Sequence, residues 1–139
     1  MLHSLYKEVL VTQAVLSELN SEKDNTLQSV EVAIKQGWVL IVEVNSLDQE
    51  LVDALDQGEA SAISYSLAHD RIPILIDEHK GKLYAKYKGI PVIGTAGVLI
   101  QAKQHNHITL VRPILNEMKA KGYWLSDNFI ATVAEIVDE

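Results

Sequence analysis

Three carboxylates stand at positions where an ordinary core would place apolar side chains. With about 100° per residue along a helix from Gln13 to Leu19, Glu18 falls inside the arc that holds Ala14, Val15 and Leu19. The same wheel on Gly58 to His69 puts Glu59 on the side of Ala60, Ile63 and Leu67. Asp77 ends the apolar run Ile72 to Ile76, at the carboxyl edge where open parallel sheets place their ligands. Ionised carboxylates gathered away from water are costly unless a cation compensates. Mg²⁺ or Mn²⁺ suits such a site, because hard ions are satisfied by carboxylate and water oxygens. Beside a phosphodiester that ion polarises the phosphoryl oxygen, lowers the pKa of a bound water and stabilises the leaving oxygen, which is nuclease chemistry.

Each acid also has a plain structural use. Glu59 closes the pattern Asp56-Gln57-Gly58-Glu59, a capping box, and an acid in a first helical turn favours the helix dipole. Glu18 would pair with a lysine in a groove between helix and loop, and Asp77 would cap a helix beginning near His79. Glu78, Asp56 and Asp70 read as capping or solvated acids. His105 and His107 lack the i, i+4 spacing of a helical metal pair and read as loop residues. Gly94-Thr95-Ala96-Gly97 is similar to a phosphate-binding turn but lacks the third glycine and a following Gly-Lys-Ser/Thr, so Thr95 reads as an N-cap. Trp38, Tyr84, Tyr87, Tyr123 and Trp124 are scattered across elements and read as core or interface rather than as base-stacking platforms.

The chain of 139 residues is 47% apolar and 22% charged, which describes one compact domain over residues 1–139 with a real core. It has no cysteine, which removes thiolate nucleophiles, thiolate metal sites and disulfides. Its longest unbroken apolar run, Trp38 to Val42, falls far short of a membrane span. Nothing at the N-terminus reads as an export signal, so a cytoplasmic protein away from membranes is expected. The net charge of −7 argues against generic adhesion to nucleic acid. Residues 79 to 121 nevertheless carry eight Lys and Arg against Glu117 alone, a segment that could meet a polyanion or simply form a solvated face.

The elements that must position the three acids alternate between strand and helix. Strands are expected at Val9 to Val11, Trp38 to Val44, Ile72 to Ile76 and Pro91 to Ile93, the second of them covered on both faces. Helices are expected at Gln13 to Leu19 with Thr12 as cap, at Leu27 to Gln36 after a polar exit Asn20 to Asn25, and at Leu47 to Leu55, Gly58 to His69 and Lys80 to Lys88. Three more follow, at Thr95 to His105, Ile108 to Lys121 and Asn128 to Val137, with Gly37 and Gly122 as stops. The alternation implies an α/β fold, a three-layer sandwich with a central parallel sheet.

The stretches V-L-V-T-Q-A-V-L-S-E-L at 9–19, L-D-Q-G-E-A-S-A-I-S-Y-S-L-A at 55–68, I-L-I-D-E at 74–78 and V-I-G-T-A-G-V-L-I-Q-A-K at 92–103 resemble the PIN-domain family. The branch they resemble most is that of uncharacterised bacterial PIN-like proteins, relatives of the VapC-type toxins of toxin–antitoxin pairs. The resemblance implies an acidic pocket that binds Mg²⁺ or Mn²⁺ for RNA phosphodiester hydrolysis. It places Glu18, Glu59 and Asp77 on the family's second, third and fourth acidic sites, as metal ligands and catalytic groups, and Lys82 where the branch usually has an arginine. Lys82 and Lys86 are then expected to receive the RNA backbone. The family opens with a central strand ending in an aspartate, and this chain begins at Met1-Leu2-His3, after that strand and its acid. Weak or no catalysis is therefore expected, together with neighbouring strand edges that something must cover, so a dimer or higher homo-oligomer is expected. The alternative reading is a catalytically inert PIN-like protein that binds an antitoxin or itself. A response-regulator receiver fits less well, because the acidic pair expected after a receiver's first strand is missing.

Overall fold

The computed structural model describes residues 1–21 and 25–139. The polar exit expected at Asn20 to Asn25 therefore lies partly outside the described residues. The chain divides into two compact units, one of residues 6–94 and one of residues 1–5 with 95–139.

In the unit of residues 6–94, strand β1 (Val9–Thr12) runs into helix α2 (Gln13–Ser21), followed by α3 (Thr26–Gln36) and β2 (Val39–Val42). Helix α1 (Leu2–Leu5) belongs to the other unit. Thr12 caps α2 as expected, its Oγ1 accepting from the Val15 N–H at 3.3 Å. Gly37 ends α3 in a left-handed conformation at φ 87°, where its N–H reaches the Ala33 and Ile34 carbonyls. Helices α4 (Gln49–Ala54) and α5 (Gln57–Ala68) follow, each opened by an aspartate, Asp48 accepting from Glu50 N–H and Asp56 from Glu59 N–H. Strand β3 (Ile74–Leu75), helix α6 (His79–Tyr87) and strand β4 (Val92–Ile93) complete the unit. Its core gathers Leu51, Ala60, Ile63, Ile74, Ala85 and Ile90, so α4, α5, α6 and β3 pack on one another.

The alternation gives parallel pairing, but among the described residues the strands form two separate pairs rather than one central sheet. β1 pairs with β2, Val9 opposite Val39, and β3 pairs with β4, Ile74 opposite Val92. The strand read over Trp38 to Val44 is four residues long and partly open on both faces, with the consecutive residues Leu40 and Ile41 exposed. A two-stranded ribbon has too little surface for layers on both faces, which is why an all-apolar run does not become a doubly covered strand here.

The second unit contains α1, α7 (Thr95–Gln104), α8 (Arg112–Ala120) and α9 (Asp127–Ile136) around Leu99, Val111, Leu115, Ile130, Val133 and Val137. Thr95 is the first helical residue of α7 rather than a residue before it. α8 begins at Arg112 and not at Ile108, because Pro113 in the first turn fits only a helix start. Its first turn is held by a distant side chain: the Glu139 carboxylate accepts from the Val111 and Arg112 N–H groups at 2.7 and 3.0 Å and pairs with Lys103 Nζ at 2.9 Å. These bonds hold the Glu139 carboxyl down at about 2 against its burial. Tyr123 is exposed and Trp124 wholly so, which removes both from the core. Tyr87, on α6, is exposed as well. No helix among the described residues is long and apolar enough to cross a membrane.

Candidate active site

The first turn of α5 is the focus of the site, and three neighbouring segments fix it. From β1, the Thr12 hydroxyl meets the Ser61 hydroxyl at 2.7 Å, both buried. The Ser61 hydroxyl donates to the Gly58 carbonyl at 2.8 Å, so its single proton is committed there and Thr12 must be the donor of the pair. The result is a directed chain from Val15 N–H through two hydroxyls to the backbone of α5. From α2, the Glu18 carboxylate accepts from the Gly58 N–H at 2.7 Å. A carboxylate on the open N–H groups of a helix start is favourable both as a hydrogen bond and through the helix dipole. Gly58 is required for this approach, because a Cβ there would lie within 2.8 Å of the Glu18 carboxyl group.

Glu59 follows in the same turn. Its N–H is capped by Asp56 at 2.8 Å, as the capping-box pattern implies, while its half-buried carboxyl faces Gly81 on α6. Burial, and then the charges of Asp56, Glu78 and Glu18, push that carboxyl up to about 7. Glu78, at the start of α6, makes no capping bond to that helix. Glu78 and Asp56 both read as capping or solvated acids in the sequence; Asp56 does cap α5, and for Glu78 its place directly after Asp77 was the available signal. Asp77 and Lys82 lie against Gly94, where a Cβ would lie 2.9 Å from Asp77 Oδ1 and 2.8 Å from Lys82 Nζ. Lys86 is exposed one helical turn beyond Lys82 on α6, on the same face.

Glu18 and Glu59 thus come together at the start of α5, with Asp56 and Glu78 around Glu59, while Asp77 lies beside a lysine. Glu59 is half-buried, whereas Glu18 and Asp77 are exposed residues, although the Glu18 carboxylate reaches in to Gly58 on α5. A stretched side chain lets an exposed residue deliver its head group to a neighbouring element, which a wheel of one helix cannot register. The N-cap position of α6 is Glu78 rather than Asp77.

A family model described as PIN domain matches residues 1–139. The chain belongs to the PIN-domain family. This is a nuclease-type fold, and members of the family generally use divalent metals. No curated protein and no solved structure matches the chain. The charge around Glu59 fits a divalent cation, since four acids press on one another at the start of α5 and α6. The fit is to the charge and not to a finished coordination shell: among the described residues no three His, Asp or Glu stand close enough to hold an ion.

Proposed function

We propose that this PIN-domain chain is a Mg²⁺- or Mn²⁺-dependent ribonuclease, with Glu59 at the centre of its cation site. The observation that carries the reading is the Glu59 carboxyl, raised to about 7 beside Asp56, Glu78 and Glu18, an arrangement that a divalent cation relieves. Glu59 and Glu18 would supply oxygens for the ion, with Asp77 as the third acid of the proposed set. When bound, such an ion polarises a phosphoryl oxygen and acidifies a bound water. The chain's own residues do the rest. Gly58 N–H orients the Glu18 carboxylate, the Thr12–Ser61 hydroxyls fix the turn that carries Glu59, and Lys82 and Lys86 offer positive charge to an RNA backbone.

The second reading, an inert PIN-like protein serving as an antitoxin-binding or self-associating module, is favoured by one specific feature. Glu18 is already satisfied by Gly58 N–H, so one of the three acids has a carboxylate oxygen committed within the chain. Calorimetric titration with Mn²⁺ separates the readings. The nuclease reading expects saturable binding weakened at least tenfold by both Glu59→Gln and Asp77→Asn, and RNA cleavage abolished by excess chelator. Cleavage that survives chelator or either substitution sinks the site assignment, and absence of Mn²⁺ binding leaves the inert module.

A further inference from the structure

We propose that His105 and His107, in the turn that ends α7, form an open binding site for a borderline divalent ion such as Zn²⁺. The backbone of the turn comes first. Asn106 stands in the left-handed region at φ 59°, and the N–H groups of Asn106 and His107 donate to the Lys103 and Ala102 carbonyls at 2.9 and 2.8 Å. Bonds of this kind tie off the last carbonyls of a helix and hold the following backbone in one arrangement. The turn sets the two imidazoles side by side, their planes 7° from parallel and their centres 6.2 Å apart. Ligands four positions apart are the helical route to chelation; here a left-handed residue between two histidines brings them together instead.

One ring is already oriented as a ligand. His105 Nδ1 lies 2.9 Å from the Gln101 carbonyl oxygen. A carbonyl oxygen only accepts, so Nδ1 carries the proton and Nε2 carries the lone pair. Metal-ligating histidines are held in this way, one nitrogen donating to a backbone carbonyl, which fixes the tautomer and raises the basicity of the other. The same carbonyl accepts the His105 backbone N–H at 3.0 Å, so ring and main chain are anchored on one oxygen of α7.

The ligand type selects the ion. Imidazole suits Zn²⁺ and its late first-row neighbours, whereas Mg²⁺ and Mn²⁺ prefer carboxylate and water oxygens. With Zn–N bonds of ~2 Å, two imidazoles on one tetrahedral ion have their centres about 5 Å apart, so a small turn of the exposed His107 ring closes the pair on an ion. The negative end of the α7 dipole favours a cation at the same place. Both histidines are exposed, so water fills the remaining positions and the site stays open. Neither histidine takes part in the acid cluster at the start of α5, and the two sites call for ions of different hardness. The inference therefore stands apart from the cation site proposed above.

The test titrates the whole chain with Zn²⁺ in excess Mg²⁺, which occupies carboxylates and leaves imidazole alone, and follows the ring nitrogens of the five histidines by NMR. The first equivalent is expected to move the signals of His105 and His107 together, with the change at Nε2 of His105 while its Nδ1 keeps the proton. His105→Gln and His107→Gln should each weaken binding at least tenfold, and His69→Gln should leave it unchanged. Asn106→Val keeps both rings but disfavours the left-handed turn, so it should weaken binding at least fivefold, whereas Asn106→Gly should retain it. The proposal is overturned if Zn²⁺ moves neither ring or only one, or if it displaces the His105 Nδ1 proton. It is also overturned if either glutamine variant, or Asn106→Val, binds as tightly as the parent chain.

Discussion

Glu59 is a residue whose titration the fold pushes upward, and the direction of the change yields a prediction. Its folded pKa, about 7, lies above the ordinary 4.5, so the folded state binds the proton more tightly than the unfolded chain does. The stability that this group contributes is fully present below about pH 4.5 and is lost as pH rises through about 7. Glu59→Gln should therefore raise the melting temperature at pH 8 and flatten the profile between pH 5 and 8; an unchanged profile in thermal melts would count against the crowding of acids described above. Mn²⁺ at neutral pH should stabilise the parent chain and leave Glu59→Gln nearly unaffected, since only a ligand bound to the folded state shifts its melting. Gly58→Ala isolates the neighbouring acid. The added methyl meets only the flexible end of Glu18, and alanine gains about 0.5–1 kcal/mol of helix propensity over glycine, so folding should change little while Mn²⁺ affinity falls. A calorimetric titration of this variant with parent-like affinity would show that the Glu18 position is immaterial.

At the scale of elements, α5 is where sequence and structure agree best. Its aspartate cap, the capping-box glutamate and the apolar positions Ala60 and Ile63 were all legible, because capping and helical periodicity are local properties. What could not be read was the hydroxyl pair of Thr12 and Ser61, which joins residues 49 positions apart. Neither residue has a local signature beyond the cap that Thr12 provides, and small polar residues in helices are commonplace. Replacing Ser61 by Ala leaves the Thr12 hydroxyl buried without its acceptor and should cost about 1–3 kcal/mol, read from urea unfolding. Thr12→Val with Ser61→Ala together should cost less than the sum of the single changes, because the orphaned partner disappears. Strand lengths were the least legible feature. The strands expected over residues 38–44, 72–76 and 91–93 shortened to four, two and two residues, since the extent of a parallel strand is set by neighbours far away in the chain.

For the whole molecule, the basic segment from 79 to 121 changes meaning once the chain is folded. Lys88 pairs with Asp48 and Glu50, Lys103 with Glu139, Lys119 with Asp127 and Lys121 with Glu117, so at least four of its eight cations meet acids among the described residues. A running count of charge cannot foresee pairs such as Lys88 with Asp48, forty positions apart. The two units also carry opposite responses to acid. Glu139 is held at about 2, below its ordinary 4.5, so its contribution is present above about pH 4.5 and lost as pH falls towards 2, the reverse of Glu59. Amide exchange across the pH range 3 to 8 should show residues 95–139 losing protection on acidification, with Glu139→Gln already impaired at neutral pH; protection in that variant equal to the parent's would refute the role given to this carboxylate. The full exposure of Trp124 has a practical corollary. The chain's only other tryptophan, Trp38, stands next to β2 with its indole N–H on Gln36, so Trp124→Phe would leave a single fluorophore reporting on the unit of residues 6–94. Quenching by acrylamide should lose its most accessible component in that variant, turning light emission into a probe of one unit at a time.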